Sequence, residues 1–255
     1  MSSDDDLFTS ACVGFGMGIY FFFNGFKLLK RKRLMENTPT SNVRSLAMGL
    51  CEIYGEAKTG IDGVLKSPFS NEDCLYYNYK IEEYRSSGKR SRWVTVNKGS
   101  DYVPFILDDD TGSVLVNPGQ AEFDIPTDNV FHSGTGNDAP MAITSFLQGK
   151  GLAATGLFGW NKKMRYTESF IRPGEWLYIL GTAKDNPRVD EATAQQGHLD
   201  VMIAHDKNNL FYISDKSEKS CIGNHAWSVF FRVWGGMSLT LLCLAYILYE
   251  TGLFD

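Results

Sequence analysis

Outside its two most apolar stretches the chain carries three cysteines, Cys51, Cys74 and Cys221, and four histidines, His132, His198, His205 and His225. These seven groups contain no Cys-x-x-Cys spacing. A RING-type site closes two tetrahedral zinc ions with eight Cys or His ligands, largely in close pairs, so this chain is not expected to form one. His198, Asp200, His205 and Asp206 are dense enough to suggest a metal, but on a strand residues 198 and 200 share one face and 205 takes the other. A hairpin surface is expected there instead. Ser86-Ser87-Gly88-Lys89 has the Ser-x-x-Lys spacing of some acyl-enzymes without a second catalytic element, and reads as a solvated turn. The run Asp108-Asp109-Asp110 offers hard oxygen ligands but lacks the twelve-residue spacing of a calcium loop, which also points to a turn. Gly134-Thr135-Gly136 has no Gly-Lys-Ser/Thr after it and reads as a connector rather than a phosphate cradle. No catalytic residue, metal or cofactor is therefore expected. The odd, scattered thiols suit a reducing compartment.

These groups must be positioned by elements of two kinds. Leu7 to Phe26 is an uncharged apolar run of 20 residues, and Val233 to Tyr249 is a second, extended by Ala226 to Phe231. About 20 apolar residues suffice for a helix to cross the hydrocarbon of a bilayer, so transmembrane helices are expected over 7–26 and 226–249. Asp4-Asp5-Asp6 in front of the first run is unlike the basic start of a cleaved signal peptide. Lys27, Lys30, Arg31, Lys32 and Arg33 form a basic segment over 27–33 that faces anionic lipid. The stretch from Leu34 to Ile222 holds 19 Lys and Arg against 25 Asp and Glu, a balance of −6, while neither terminal tail has a basic residue. The positive-inside rule then places both termini outside and the middle in the cytoplasm. The acidic balance argues against nucleic acid as a partner. Gly14 and Gly18 permit close helix packing, either on the second run of the same chain or in a homodimer.

The middle, 34–222, reads as mainly β. An extended segment is expected from Val43 to Ala57, strands at Cys74–Tyr84 and Arg92–Val96, and a hairpin over Val103–Val116 turning at Asp108–Gly112. Arg165–Ile171 and Glu175–Gly181 read as strands joined at Arg172-Pro173-Gly174, with a last hairpin over His198–Ile213. Asp128 to Trp160 is rich in glycine and is expected as a surface excursion with a short helix from Pro140 to about Gln148. Ser214 and Glu218 suggest a capped start to the final helix, broken at Gly223. A partly open barrel like an oligonucleotide-binding fold fits this order of short strands. For partner binding the candidates are Ser67, Pro68 and Phe69 in one loop, Trp93, and Phe158 with Trp160 beside Lys162 and Lys163.

Several strings in order carry a family resemblance: Glu36-Asn37-Thr38-Pro39-Thr40-Ser41, Arg44-Ser45-Leu46-Ala47-Met48-Gly49-Leu50, Leu65-Lys66-Ser67-Pro68-Phe69-Ser70 and Asp109-Asp110-Thr111-Gly112. Arg172-Pro173-Gly174-Glu175 and Leu177-Tyr178-Ile179-Leu180-Gly181-Thr182-Ala183 come after them in the chain. With Phe211-Tyr212-Ile213-Ser214 leading into the second run, they resemble the GIDE family, also called BAM for beside-a-membrane. The resemblance implies a β domain held between two membrane helices and acting in partner recognition or regulation. In ligase members a RING follows the second helix. Here only Glu250 to Asp255 follow it, so ubiquitin transfer is not carried over to this chain. Mitochondrial relatives place the domain in the intermembrane space, whereas the charges here favour the cytoplasm. The expected role is a non-catalytic adaptor or sensor that recruits a protein at the membrane; the alternative is a component of a membrane-associated E3 ubiquitin ligase-like system.

Overall fold

A computed structural model of the chain describes residues 2–88, 90–151, 163–187, 200–216 and 218–251. The chain divides into two units, Thr40–Lys216 and a second formed by Met1–Pro39 with Ser217–Asp255. The boundaries lie inside those expected at 34 and 222, because the terminal helices continue past their apolar runs.

Those helices are α1 (Ser2–Asn37) and α3 (Glu218–Glu250), 36 and 33 residues long. At 1.5 Å per residue each exceeds the thickness of hydrocarbon, and both are long and apolar enough to cross a membrane. Lys27 to Arg33 therefore ride on the same helix as the apolar run rather than on a separate segment. Helix α3 passes Gly223 without interruption. The two helices pack on each other where side chains are smallest. A Cβ at Gly18 would lie 3.0 Å from the Gly236 carbonyl oxygen, one at Gly236 2.9 Å from the Gly18 carbonyl oxygen, and one at Gly25 3.0 Å from the Val233 nitrogen. Gly14 faces Cys243 at 2.8 Å by the same construction. Gly14 and Gly18 thus contact the second helix of their own chain, Gly18 by close backbone approach and Gly14 against the Cys243 side chain.

The central unit contains, after a 3-10 turn at Val43–Ser45, strands β1 (Gly49–Thr59), β2 (Leu65–Lys66), β3 (Asp73–Cys74), β4 (Tyr76–Ser87) and β5 (Arg90–Tyr102). Then come β6 (Phe105–Asp108), β7 (Ser113–Val116), β8 (Glu122–Asp124), β9 (Asn129–Ser133) and α2 (Met141–Gly149). The series ends with β10 (Met164–Ile171), β11 (Trp176–Asp185), β12 (Val201–Ala204) and β13 (Tyr212–Ser214). Five strands close a barrel in the order β1-β6-β7-β12-β11 and back to β1. Neighbours are antiparallel except β7 and β12. The barrel is closed rather than partly open because β1 is long enough to serve two partners, β11 over Gly49–Glu56 and β6 over Glu56–Thr59. At the crossing stands Gly55, whose Cβ would lie 2.5 Å from the Asp108 carbonyl oxygen. Inward alternation puts Cys51, Ile53, Ala57, Phe105, Leu107, Val114, Val116, Leu177, Ile179 and Ile203 in one core.

The expected hairpin at 198–213 does not form. Strands β12 and β13 both pair antiparallel with β11, one opposite 182–185 and the other opposite 178–180. The chain from His205 to Phe211 leaves the sheet and returns with Gly181 alone between the two registers, and a Cβ there would strike Ile203 and Phe211. Thr182 and Lys184 hold the excursion, accepting from Asn209 at 3.2 Å and donating to the His205 carbonyl at 2.7 Å.

The two strands joined at Arg172-Pro173-Gly174 also belong to different sheets. A four-stranded antiparallel sheet runs β5-β4-β10-β9, built from the insertion between β1 and β6 and the insertion between β7 and β11. One face is covered: Tyr79, Ile81, Met164 and Tyr166 pack with Phe69 and with Ile143 and Leu147 of α2. The glycine-rich excursion is therefore partly core. Its helix buries the positions i and i+4, and Pro140 stands just before it as the N-cap. Ser214 lies in β13, not at the start of α3, and donates to the Asp124 carbonyl.

The turn Asp108–Gly112 forms as expected, with the Asp108 and Asp109 carboxylates directed at the protein. Asp109 accepts from the backbone of Thr111, Gly112 and Val43 and from the Thr111 hydroxyl. Burial raises its pKa, but these donors outweigh burial and hold the carboxyl below its ordinary range.

The helix pairing predicts a specific crosslink. In a Cys12→Ser background, Gly14→Cys places a thiol against Cys243 and should give an intrachain disulfide under mild oxidation, read as a monomeric band of altered mobility on a non-reducing gel. A disulfide-linked dimer in its place would contradict packing within one chain.

Candidate partner-binding face

The opposite face of the four-stranded sheet has no helix on it among the described residues, and its register gives a map. One row runs Val130, Thr167, Lys80, Lys98 from β9 to β5; the next runs His132, Arg165, Glu82, Thr95. A third pairs Tyr84 with Trp93. A bulge in β5 between the partners of Ile81 and Glu82 keeps Lys98 and Thr95 on the same side.

Of the expected candidates that lie among the described residues, Trp93 is the one that the fold delivers to this face, and in the sequence only its residue type marks it. It is half-buried. The Arg165 guanidinium lies 4.7 Å from its ring centre and the Tyr84 ring meets it edge-on at 5.2 Å. Lys163 stands 4.6 Å over the Tyr84 ring, and His132 is 6.4 Å from Trp93. The indole is thus neither core nor a free aromatic; cations fix it against the sheet. Beneath them Glu82 is buried and bonded on both sides, to Arg165 at 2.7 Å and to Lys80 at 3.2 Å. Burial would raise the Glu82 pKa, but the hydrogen bonds and charges of Arg165 and Lys80 win and hold it below its ordinary value of 4.5.

Other candidates fare differently. Ser67 and Phe69 are buried, at 3% and 2% exposure, and offer a partner no surface. The Phe69 ring meets Tyr79, Phe146 and Tyr166 edge-on, and its backbone N–H donates 2.9 Å to Glu168, a carboxylate with no exposure that also accepts from Asn129. Ser67 shares a 2.7 Å hydrogen bond with Ser70 inside the same loop. The loop is a plug for the second core, and Pro68 between them is half-buried. Phe158 and Trp160 lie outside the described residues, as do the side chains of Arg31 and Lys32. Lys27, Lys30 and Arg33 are exposed on α1.

Lys80, Lys98, Tyr84 and Arg165 are residues of this face that reading the sequence misses. A signal is present, since Lys80, Glu82 and Tyr84 alternate with Tyr79, Ile81 and Glu83, but alternation names a face and not its partners.

The Glu82 pair predicts a pH response. A carboxyl whose folded pKa is lowered adds stability that is complete above its unfolded value, near 4.5, and lost as pH falls through the lower folded value. Acid should therefore loosen Arg165 and change Trp93 fluorescence below about pH 4.5. Glu82→Gln should cost about 1 kcal/mol at neutral pH and flatten that acid response, both read by thermal unfolding. An unchanged acid limb in Glu82→Gln would contradict the assignment.

No curated protein and no solved structure matches the chain. Residues 76–248, which take in the small sheet, most of the barrel and nearly all of α3, match a family described as E3 ubiquitin ligase, and the chain accordingly belongs to the GIDE family.

Proposed function

We propose that the chain is a membrane-held recognition module without catalysis of its own, an adaptor or sensor whose small β-sheet recruits a protein partner. One observation carries this: a sheet built from two insertions into a barrel, with a private core on one face, presents Trp93, Tyr84, Arg165 and Val130 on the other. Val130 is 49% exposed and Tyr84 37%. Aromatic and arginine side chains fixed in place lose little freedom on binding, which is the profile of an interface centre.

In this reading α1 and α3 cross the bilayer, both termini lie outside, and the β domain is cytoplasmic, following the basic residues after the first apolar run. Lys27, Lys30 and Arg33 then meet anionic headgroups, and confinement to the surface raises the effective concentration of any partner in the same membrane. The barrel is read as an oligonucleotide-binding-type fold put to another use, since the acidic balance of the domain disfavours nucleic acid. The family description favours one more specific setting, in which the chain is a component of an E3 ubiquitin ligase-like system whose transfer step is performed by another chain.

A photo-crosslinking residue at Val130 in the full-length, membrane-inserted protein tests the face. A discrete heterologous adduct should form there and be lost with Trp93→Ala. The same probe at Ile61, 91% exposed on the turn after β1, should give none. Equal crosslinking from both positions would remove the case for this face.

A further inference from the structure

Lys80 and Lys98 stand directly opposite each other on β4 and β5. Like charges paired across strands destabilise a sheet. Lys80 has a carboxylate, Glu82, at 3.2 Å, but Glu82 is already shared with Arg165 at 2.7 Å. Lys98 has no carboxylate partner among the described residues. Lys163 is set over the Tyr84 ring rather than against an acid. Among the described residues of the three rows, with Lys163 laid over Tyr84, four cations, Lys80, Lys98, Lys163 and Arg165, thus meet one carboxylate, Glu82. This surplus sits in a middle region whose overall balance is −6, with 19 basic against 25 acidic residues.

Resting on the recognition reading above, we propose that the partner docks through an acidic, extended polypeptide segment whose carboxylates neutralise the Lys80–Lys98 pair, Arg165 and Lys163. Same-side side chains of an extended segment recur about every 6.6–7 Å, which is also the spacing of alternate residues on β4 and β10. A segment running along these strands therefore presents one carboxylate per row. The Lys80–Lys98 row takes the first, Arg165 the second, and Lys163 beside Tyr84 and Trp93 the third. A bilayer surface offers anionic groups without this period. Nucleic acid offers them in a density that the acidic remainder of the domain repels. The sheet keeps an unfavourable lysine pair in the free protein, and the partner relieves it.

The test uses the full chain in zwitterionic phosphatidylcholine nanodiscs and a fluorescent twelve-residue alternating Glu–Thr peptide, with the Gln–Thr peptide as control. The acidic peptide should bind saturably and be weakened by salt, and the neutral one should bind about tenfold more weakly. Lys98→Gln should reduce acidic-peptide affinity about threefold or more while raising Tm by about 1–3 °C, because it removes the like-charge pair. A merely structural lysine would not move those two readouts in opposite directions. Lys66→Gln, on the β2–β3 hairpin where Lys66 pairs with Asp73, should leave peptide affinity unchanged. Equal affinity for the two peptides, unchanged acidic-peptide binding in Lys98→Gln, or occupation of the face by phosphatidylserine vesicles in preference to the peptide would each overturn the proposal. If the acidic peptide fails while Trp93→Ala still abolishes the Val130 adduct, the recognition face stands and its charge rule falls.

Discussion

The chain leaves the small sheet and enters the barrel at Arg172, and that guanidinium is bonded to carboxylates from three separate segments. Its Nε donates to Glu72 at 2.9 Å, in the loop before β3. Its Nη1 donates to Asp128 before β9 and to Glu175 before β11, both at 3.2 Å, while the plane lies 4.3 Å over the Phe170 ring. Burial disfavours the charge, but the Glu72 and Glu175 bonds outweigh it and hold the arginine more firmly protonated than usual. Gly174, at φ +93°, turns the chain and donates to the Ala57 carbonyl at 2.7 Å, and the Ala57 N–H donates back to the Glu175 backbone carbonyl at 2.8 Å. β10 and β11 are consecutive in sequence but belong to different sheets, and this junction holds the change of direction.

Both the small sheet and its outer face depend on that change of direction. The turn lets β10 lie beside β4 while β11, next in the chain, lies beside β1. With the turn fixed, β10 pairs with β4 along eight residues and with β9 along five, and the second core closes under α2 and Phe69. The outer face of the same sheet then carries Trp93, Arg165 and the paired lysines at spacings set by strand register rather than by loops. The helical unit solves a separate problem by its own means, the contact of Gly18 and Gly25 on α1 with α3.

Local signals in the sequence locate most elements of this structure. The Asp-rich turn and the short helix after Pro140 lie where composition and period put them, and the strands expected at 74–84 and 165–171 form at 76–87 and 164–171, with Cys74 drawn into β3 instead. Connectivity is harder to read, because the residues that decide it act across long separations. Gly55 is required by the Asp108 backbone, Gly181 by Phe211, and Arg172 by Glu72, 100 residues away in the chain. Strands β12 and β13 resemble a hairpin in sequence since nothing local shows that both pair with β11 rather than with each other. Phe69 resembles an exposed contact for the same reason: the carboxylate that draws its backbone inward is Glu168, 99 residues away. Of the site, Trp93 is legible by type, while the lysine pair becomes visible only once β4 and β5 are in register.

Hydrogen exchange on the full chain, read separately over β4 with β10 and over β1 with β11, tests the junction most directly when wild type is compared with Arg172→Gln. The substitution should lower protection in both sheets, by about 1–3 kcal/mol of opening free energy, and most strongly in β10 and β9. Loss of protection confined to residues 172–175, with both sheets unchanged, would contradict the claim that one arginine holds the small sheet and its face to the barrel.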